Sequence, residues 1–418
     1  MPSAGPEYVV DLTALVYGGE ALGRLPDGRA VFVPFALPGE RVRVRLLEEK
    51  RSHARAELVE VISPSPQRIT PRCKHFGLCG GCHYQHLPYE DQLEAKAIIL
   101  RDQLERIGKL VDPLVLPTVP SPLAYYYRNT VQFHLNPEGK LGYMEAQRNR
   151  PFAIEECHLP EGSLNTIWPQ LDFEALPEIE RVGLRMGAGE DIQLILESHD
   201  LQPPEFSVEE MAISAVHLSE AGALVLAGSE AVVMEVLERP FRVSAGSFFQ
   251  VNTAMAEQMV DYLLENLERF GVLNETATAI DAYCGVGLFS AFLAPHVGRL
   301  IGIEANPAAV EDFAVNLDEF EIVEIYEAPA GEALPQIDAQ PKVIVVDPPR
   351  SGLERPALDA ILALRPDVLA YISCDPATLS RDIRRLSAGG YRLELATPFD
   401  LFPQTYHIEC MAFMTRDS

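Results

Sequence analysis

Cys374 is a cysteine at the junction between a predicted strand and a predicted helix, in the stretch YISCDPATLS (residues 371–380). Asp375 can cap the helix and Pro376 can take its first position. Backbone N–H groups and the dipole at a helix N-terminus favour a thiolate, so we expect the thiol pKa to lie below its ordinary value of about 8.5. Cys374 is then a candidate nucleophile, although a small buried hydrophobe is the alternative for this stretch alone.

Glycines and an acidic residue follow two other apolar runs. DAYCGVGLFS (281–290) places Gly285 and Gly287 in a tight turn, where a cofactor can approach the backbone. Glu304 ends the next run about 20 residues later, where an acid can bind ribose hydroxyls. Ser290 replaces the third glycine of the dinucleotide fingerprint. An adenosine ligand without a pyrophosphate, such as S-adenosylmethionine, therefore fits better than NAD.

Two further carboxylates are candidates for contact with a substrate. Asp347 ends the apolar run of VVDPPR (345–350), and Glu409 shares a strand face with His407 in TYHIECM. Glu409 could act as a general base. The alternatives are a structural turn for Asp347 and the exposed face of an edge strand for Glu409.

The elements that must position these residues alternate between strand and helix from about residue 241. This alternation predicts an α/β fold with a doubly wound, Rossmann-like parallel sheet, whose ligands collect at the carboxyl ends of the strands. Residues 8–62 predict short strands of an OB-like β-barrel, a fold that often binds single-stranded RNA. We predict three domains, namely the barrel (1–62), a central α+β domain (63–240) and the α/β domain (241–418).

Composition and charge limit the classes of protein that fit. The chain has 418 residues and a formal net charge of −27, yet RVRVRLLEEKRSHAR (41–55) has six basic residues against two glutamates. RNA binding depends on such local charge, although a solvated strand pair is the alternative. The N-terminus does not resemble a signal peptide, and no apolar run is long enough to span a membrane. The odd number of cysteines argues against a secreted disulfide framework, so we expect a cytoplasmic protein.

The chain resembles the RNA (uracil-C5) methyltransferases, which use S-adenosylmethionine. The resemblance covers nearly the whole chain, and its barrel resembles the TRAM domain of that family. It rests on five stretches in the family's order, SFFQVN (247–252), DAYCGVG (281–287), DPPR (347–350), SCDP (373–376) and DLFPQTYHIE (400–409).

The resemblance implies a role for each matched residue. Cys374 would add to C6 of uracil, Glu409 would remove the C5 proton, and Asp347 would orient the uracil or the cofactor. Gln250, Tyr283, Glu304 and Asp347 would bind S-adenosylmethionine. The chain departs from the family pattern at Leu288 and Ala330, where many members have polar residues, so cofactor affinity could be lower.

Four cysteines form a candidate metal site. Cys73, Cys79 and Cys82 follow a C-x5-C-x2-C spacing, and Cys157 is the next cysteine. Four thiolates can bind zinc or a [4Fe–4S] cluster, and the spacing does not choose between them. The resemblance favours the [4Fe–4S] cluster, with a structural role. The C-x3-C-x2-C motif of radical S-adenosylmethionine enzymes is absent, and we expect the remaining Cys284 and Cys410 to be core residues.

The resulting prediction is an enzyme that makes 5-methyluridine in RNA. We expect 23S ribosomal RNA as the substrate, because the barrel and the cysteines resemble the ribosomal members. A tRNA methyltransferase and a catalytically inactive RNA-binding protein are the alternatives, and an iron–sulfur oxidoreductase fits less well. We expect a monomer with no obligate protein partner and no membrane association.

Overall fold

The computed structural model describes residues 5–148, 150–173, 176, 178–189, 191–204 and 213–416. Near the N-terminus, five strands form a closed barrel with the order β1-β2-β3-β5-β4. The strands are β1 (Glu7–Leu15), β2 (Glu20–Arg24), β3 (Ala30–Pro34), β4 (Arg41–Glu49) and β5 (His53–Ser63). The predicted small β-barrel is therefore confirmed.

The basic stretch at residues 41–55 forms most of β4 and β5. Val42, Val44 and Leu46 point into the barrel core, and the arginines between them point outward. These arginines pair with carboxylates, as in Arg43–Glu60 (3.1 Å), Arg45–Glu57 (2.7 Å) and Arg45–Glu7 (2.6 Å). Because neighbouring acids offset these charges, the stretch offers less uncompensated positive charge to RNA than its sequence suggests.

The segment whose topology the sequence does not predict forms a seven-stranded sheet. Its order is β12-β11-β10-β9-β6-β7-β8, and all its pairings except β10–β11 are antiparallel. Phe133 of β6 and Leu184 of β9 form a hydrophobic cluster with Trp168, which follows α2. The elements are α1 (Tyr89–Arg106), β6 (Thr130–Leu135), β7 (Leu141–Met144), β8 (Pro151–Ala153), α2 (Gly162–Ile167), β9 (Ile179–Met186), β10 (Ile192–Ser198), β11 (Ile213–Ser219) and β12 (Gly222–Ala227).

A hairpin of β13 (Ala231–Val236) and β14 (Arg239–Ser244) follows this sheet. Its Met234 and Phe241 belong to the same hydrophobic cluster as Met259 of the next helix, α3 (Thr253–Arg269). Helix α1 contacts the C-terminal region rather than only its own neighbours in sequence. The division of the chain at residues 62 and 240 stays a prediction.

The C-terminal part forms the predicted doubly wound sheet. Its order is β17-β16-β15-β18-β19-β21-β20, and β21 runs in the direction opposite to that of the other six strands. Helices lie on both faces. The elements after α3 are β15 (Asn274–Ala282), α4 (Leu288–Leu293), β16 (Val297–Glu304), α5 (Pro307–Asn316), β17 (Val323–Glu327), α6 (Ala330–Ala333), β18 (Val343–Val346), α7 (Arg355–Leu364), β19 (Val368–Ser373), α8 (Pro376–Ala388), β20 (Tyr391–Phe399) and β21 (Glu409–Arg416).

Side-chain caps begin the helices that follow the functional loops. Asn252 accepts a hydrogen bond from the Met255 N–H at 3.4 Å and begins α3. Asn306 caps α5, and Asp375 caps α8. The cap at Asp375 confirms the start of α8 predicted from the sequence. Strand β21 lies between β19 and β20, so the edge-strand alternative for Glu409 is wrong.

Candidate active site

A cavity of about 660 Å³ lies at the carboxyl ends of the parallel strands. We call it the active-site cavity. It brings together every residue for which the sequence predicts catalysis or cofactor binding, namely Gln250, Tyr283, Glu304, Asp347, Cys374 and Glu409. These residues come from the ends of β15, β16, β18 and β19, from the segment before α3 and from the start of β21. The shared crevice is confirmed, while the role of each residue stays a prediction.

The turn after β15 shapes one end of the cavity. Tyr283 has a φ of +65°, a strained value for a residue with a side chain, and its buried hydroxyl has no hydrogen-bond partner among the described residues. A Cβ on Gly287, whose φ is +92°, would lie 2.4 Å from Leu317 Cδ1. Only glycine fits there. Leu288 is buried in the hydrophobic core, and Ala330 lines the cavity.

Glu304 holds this turn through backbone hydrogen bonds. Its Oε2 accepts from the Gly285 N–H at 2.9 Å, and its Oε1 accepts from the Ala305 and Asn306 N–H groups at 2.8 Å each. An ionised carboxylate has about four lone-pair sites, so capacity remains for ribose hydroxyls. Glu304 therefore both orders the loop and presents its carboxylate to the cavity.

Cys374 lies between the last residue of β19 and the capped start of α8, as predicted. Its pKa, however, is raised to about 12. Burial is the largest cause, and the charges of Glu409 and Asp347 raise it further, whereas Arg350 lowers it. The expectation of a lowered thiol pKa is therefore wrong for the site without ligands, because desolvation and two carboxylates outweigh Arg350 and the helix terminus.

The two carboxyl groups also perturb each other. Burial raises the pKa of Asp347 to about 7. Glu409 is 4% exposed, and burial together with Asp347 raises the pKa of its carboxyl group well above the ordinary value. Such a pair tends to hold a proton near neutral pH, and the two groups titrate together. The active-site cavity thus holds a thiol beside carboxyl groups that can exchange a proton.

Comparison with known proteins places this site in a family. Residues 333–417 match the family model tRNA (Uracil-5-)-methyltransferase, and residues 4–59 match the TRAM domain. The chain is 34% identical to an uncharacterized RNA methyltransferase of Aquifex aeolicus, with 96% of each chain covered. It is also 34% identical to one of Thermosynechococcus vestitus, with 98% of each covered.

The chain belongs to the TRAM-containing RNA (uracil-C5) methyltransferase family. It is therefore an S-adenosylmethionine-dependent RNA methyltransferase. The fold agrees with the structure of Pyrococcus abyssi tRNA (uracil-54, C5)-methyltransferase in complex with S-adenosyl-L-homocysteine, with a TM-score of 0.70, 23% identity, and 97% of this chain and 100% of that chain covered. In the described part of the methyltransferase, no helix is long and apolar enough to cross a membrane.

The methyltransferase has a second cavity, of about 70 Å³, which we call the cysteine cavity. Cys73, Cys79, Cys82 and Cys157 all line it, together with Arg128. Burial raises the pKa of Cys79 to about 11 and that of Cys82 to about 12. The described residues form no group of three or more His, Cys, Asp or Glu side chains spaced to hold a single metal ion. Cys284 and Cys410 are buried in the hydrophobic core, as predicted.

No role was predicted from the sequence for Arg350, Phe402 or His407, which also line the active-site cavity of the methyltransferase. Arg350 is the positive charge that lowers the pKa of Cys374, and Phe402 and His407 line the same cavity. Arg350 follows Asp347 in DPPR, so its position in the matched motif was the available signal. Burial lowers the pKa of His407 to about 3, so its ring is neutral at physiological pH and is not a source of positive charge.

Proposed function

We propose that this enzyme methylates C5 of a uridine in RNA through a transient bond between Cys374 Sγ and C6 of the uracil. The observation that carries the proposal is that Cys374, Glu409 and Asp347 line the same cavity as the residues expected to bind S-adenosylmethionine. C5 of uracil is a weak nucleophile, and covalent addition at C6 divides a difficult displacement into easier steps.

The chain's own residues account for the bonds that form and break. Cys374 loses its proton to solvent, and the thiolate adds to C6, so that the electrons of the C5–C6 double bond make C5 nucleophilic. S-adenosylmethionine, when bound, supplies the methyl group: its bond between sulfur and the methyl carbon breaks as C5 takes the methyl, and S-adenosyl-L-homocysteine is the leaving group. Glu409 then removes the proton from C5, the C5–C6 double bond re-forms, and the Cys374 thiolate leaves.

The electrostatics of the site support these roles for Cys374 and Glu409. The raised pKa of Cys374 means that ionising the thiol is part of the energetic cost of the reaction, and Arg350 reduces that cost. Desolvation that disfavours the ionised form of Glu409 makes it a stronger base once ionised. Gln250, Tyr283, Glu304 and Asp347 would hold S-adenosylmethionine.

Trapping tests the proposal directly. RNA containing 5-fluorouridine should give a covalent adduct in the presence of S-adenosylmethionine, because fluorine cannot leave as a proton does. Cys374→Ala should give none. Cys410→Ala removes a thiol from the core of the same sheet and should still give the adduct. An adduct with Cys374→Ala, or none with the wild type, would contradict the mechanism.

We propose 23S ribosomal RNA as the substrate, because the barrel and the cysteine set resemble the ribosomal members of the family. A tRNA is the second candidate, favoured by the description of the family model that matches residues 333–417. A methylation map of both RNAs from cells with and without the gene distinguishes the two. Loss of 5-methyluridine from tRNA alone would refute the ribosomal assignment.

We propose that the cysteine cavity holds a [4Fe–4S] cluster. Zinc is the alternative, and it would require the thiols to lie closer together than they do in this structure. Four thiols on one cavity match the donor set of such a cluster, and Arg128 beside them would offset the charge of four thiolates. Cys73, Cys79, Cys82 and Cys157 would be the ligands, and the group would order the loop that carries three of them. Anaerobically purified protein should be brown with about four irons per chain. Colourless protein with one zinc would refute the cluster.

We further propose a monomer that acts in the cytoplasm and is divided near residues 62 and 240. All seven cysteines are unpaired, which suits a reducing compartment. Sedimentation tests the oligomeric state, and limited proteolysis tests the boundaries.

A further inference from the structure

Tyr17, from the barrel, contacts the loop that carries the nucleophile. It lies in the turn after β1, and its hydroxyl donates a hydrogen bond to Asp375 Oδ2 at 3.0 Å. The other oxygen of this carboxylate, Oδ1, accepts from the N–H groups of Ala377 and Thr378 at 2.9 and 2.8 Å and so caps α8. Both oxygens of Asp375 are therefore engaged, one by the helix and one by the barrel.

Aromatic contacts continue from Tyr17 to the wall of the active-site cavity. The Tyr17 ring meets the Tyr406 ring edge-on, with centroids 5.7 Å apart. Tyr406 in turn contacts His83, next to the cysteine cavity, at 4.6 Å and His407 at 4.3 Å. The barrel turn also packs closely on His83, because a Cβ on Gly19 would lie 3.1 Å from His83 Cβ. Tyr17 thus has a fixed place in a packed junction.

We propose that Tyr17 is a positioning residue for methyl transfer, holding Asp375 and thereby the backbone of Cys374 in the geometry for attack on the uracil. This inference rests on the proposed function. A hydroxyl bonded to a charged acceptor makes one of the stronger hydrogen bonds in proteins, and partial burial strengthens it. Burial and Asp375 raise the pKa of Tyr17, so the hydroxyl keeps its proton and remains a donor at physiological pH.

The hydrogen bond from Tyr17 gives the barrel a role in the chemical step. Residue 375 follows Cys374 directly, so rotation of the Asp375 backbone moves the sulfur. Small displacements of a reacting group are costly, since a shift of about 1 Å can lower a rate about 100-fold. A barrel that only bound RNA would instead affect RNA affinity and leave the rate at saturating RNA unchanged.

Tyr17→Phe removes the hydroxyl and keeps the ring. We expect the single-turnover rate of adduct formation with 5-fluorouridine RNA, at saturating RNA and S-adenosylmethionine, to fall about tenfold, which corresponds to about 1.4 kcal/mol. The dissociation constants for both ligands should stay within about twofold. Tyr8→Phe is the matched control. Tyr8 packs on the barrel core, and its hydroxyl makes no side-chain hydrogen bond in the described part of the chain.

Two further measurements make the inference falsifiable on its own. Hydrogen–deuterium exchange of the peptide covering residues 374–380 should be faster in Tyr17→Phe and unchanged in Tyr8→Phe, whether or not the enzyme forms an adduct. Asp375→Asn keeps a capping side chain. In this background, Tyr17→Phe should lower the rate of adduct formation by less than about a further twofold, because both substitutions act on the hydrogen bond between Tyr17 and Asp375.

The outcomes separate this inference from the proposed function. If the wild type forms no adduct while hydrogen–deuterium exchange responds as expected, the proposed function fails, but the Tyr17 hydroxyl is still shown to order the backbone around Asp375. An unchanged adduct rate in Tyr17→Phe, or a loss explained entirely by RNA affinity, overturns the positioning role. Full additivity of Tyr17→Phe with Asp375→Asn overturns it as well.

Discussion

Removing the charge of Lys96 should destabilise the enzyme far more than removing a surface charge from the same helix. Lys96 Nζ lies 2.5 Å from Asp400 Oδ1, and both side chains are fully buried. The same ammonium donates to the Phe402 carbonyl oxygen at 3.2 Å. Burial lowers the pKa of Lys96, whereas the charge of Asp400 raises it, so the lysine depends on its partner to stay charged.

The magnitude follows from what Lys96→Met leaves behind. The Asp400 carboxylate would stay buried without its cation, and its Oδ2 already has no hydrogen-bond partner among the described residues. Breaking a buried ion pair by removing one partner costs about 3–5 kcal/mol. In α1, Arg106 forms an exposed pair with Asp102 at 3.3 Å, and Arg106→Met should cost no more than about 0.5 kcal/mol.

Urea unfolding followed by circular dichroism, with Lys96→Met, Arg106→Met, Asp400→Asn and the double variant Lys96→Met/Asp400→Asn, measures these costs. The double variant should recover at least about 2 kcal/mol relative to the sum of the single variants, because it no longer buries an unpaired charge. A cost below about 1 kcal/mol for Lys96→Met, or simple additivity with Asp400→Asn, would refute the reasoning.

Three other changes test particular features of the site. Glu409→Gln should lower turnover about 100-fold and make the Cys374-linked, methylated RNA accumulate on denaturing gels, and full turnover would exclude Glu409 as the base. Burial raises the pKa of Asp281 to about 7, so its stabilising contribution is full below about pH 4 and is lost as the pH rises to about 7. The melting temperature of Asp281→Asn should therefore fall less than that of the wild type between pH 5 and pH 8 in thermal scans, and parallel profiles would contradict the assignment. Gly287→Ala should cost at least about 1 kcal/mol of unfolding free energy and weaken S-adenosylmethionine binding in calorimetry, because of the φ of +92° and the Leu317 contact, and wild-type values for both would show that the turn tolerates a Cβ.

Most of the α/β sheet was predictable because β15, β16, β18 and β19 contain apolar runs followed by polar residues or glycines, and because Asp375 can begin the helix after β19. Strand β17 (VEIYE) has no such run. The sequence also pointed to the residues that line the active-site cavity, through the order of the matched motifs. These signals are local, so they appear in short stretches of sequence. The topology of the seven-stranded central sheet was not predictable. Five of its six pairings join consecutive strands, but the sheet is completed by pairing β9 with β6, and no local signal in the sequence marks that pairing.

The expected direction of the Cys374 thiol pKa was wrong because the carboxyl groups that raise it are distant from Cys374 in the sequence. The helix terminus that favours a thiolate is adjacent in sequence, whereas Glu409 and Asp347 reach the thiol only through the sheet. Strand β21 inserts between β19 and β20, and this brings Glu409 beside Cys374. The hydrogen bond between Tyr17 and Asp375 spans 358 residues and has no local signal.

The segment before Glu409 is held by residues from outside the α/β sheet. The position of Glu409 therefore depends on α1 and on the segment that leads to β6. Lys96 binds Asp400 and the Phe402 carbonyl oxygen, and the Tyr127 hydroxyl donates to the Pro403 carbonyl oxygen at 3.1 Å.

The loop that carries Cys73, Cys79 and Cys82, which we call the cysteine loop, holds Gln404, the next residue of this segment. The N–H groups of His83 and Tyr84, directly after Cys82, donate to the Gln404 carbonyl oxygen at 2.8 and 3.0 Å. Gln404 has a φ of +69°, a value that persists only where surrounding contacts enforce it. Disorder in the cysteine loop would therefore release the segment that leads to Glu409, while Glu304 and the turn after β15 hold the expected S-adenosylmethionine site through contacts of their own. A general base works only within hydrogen-bond reach of the proton that it removes. In the mechanism proposed above, proton removal from C5 is thus the step that depends most on the cysteine loop.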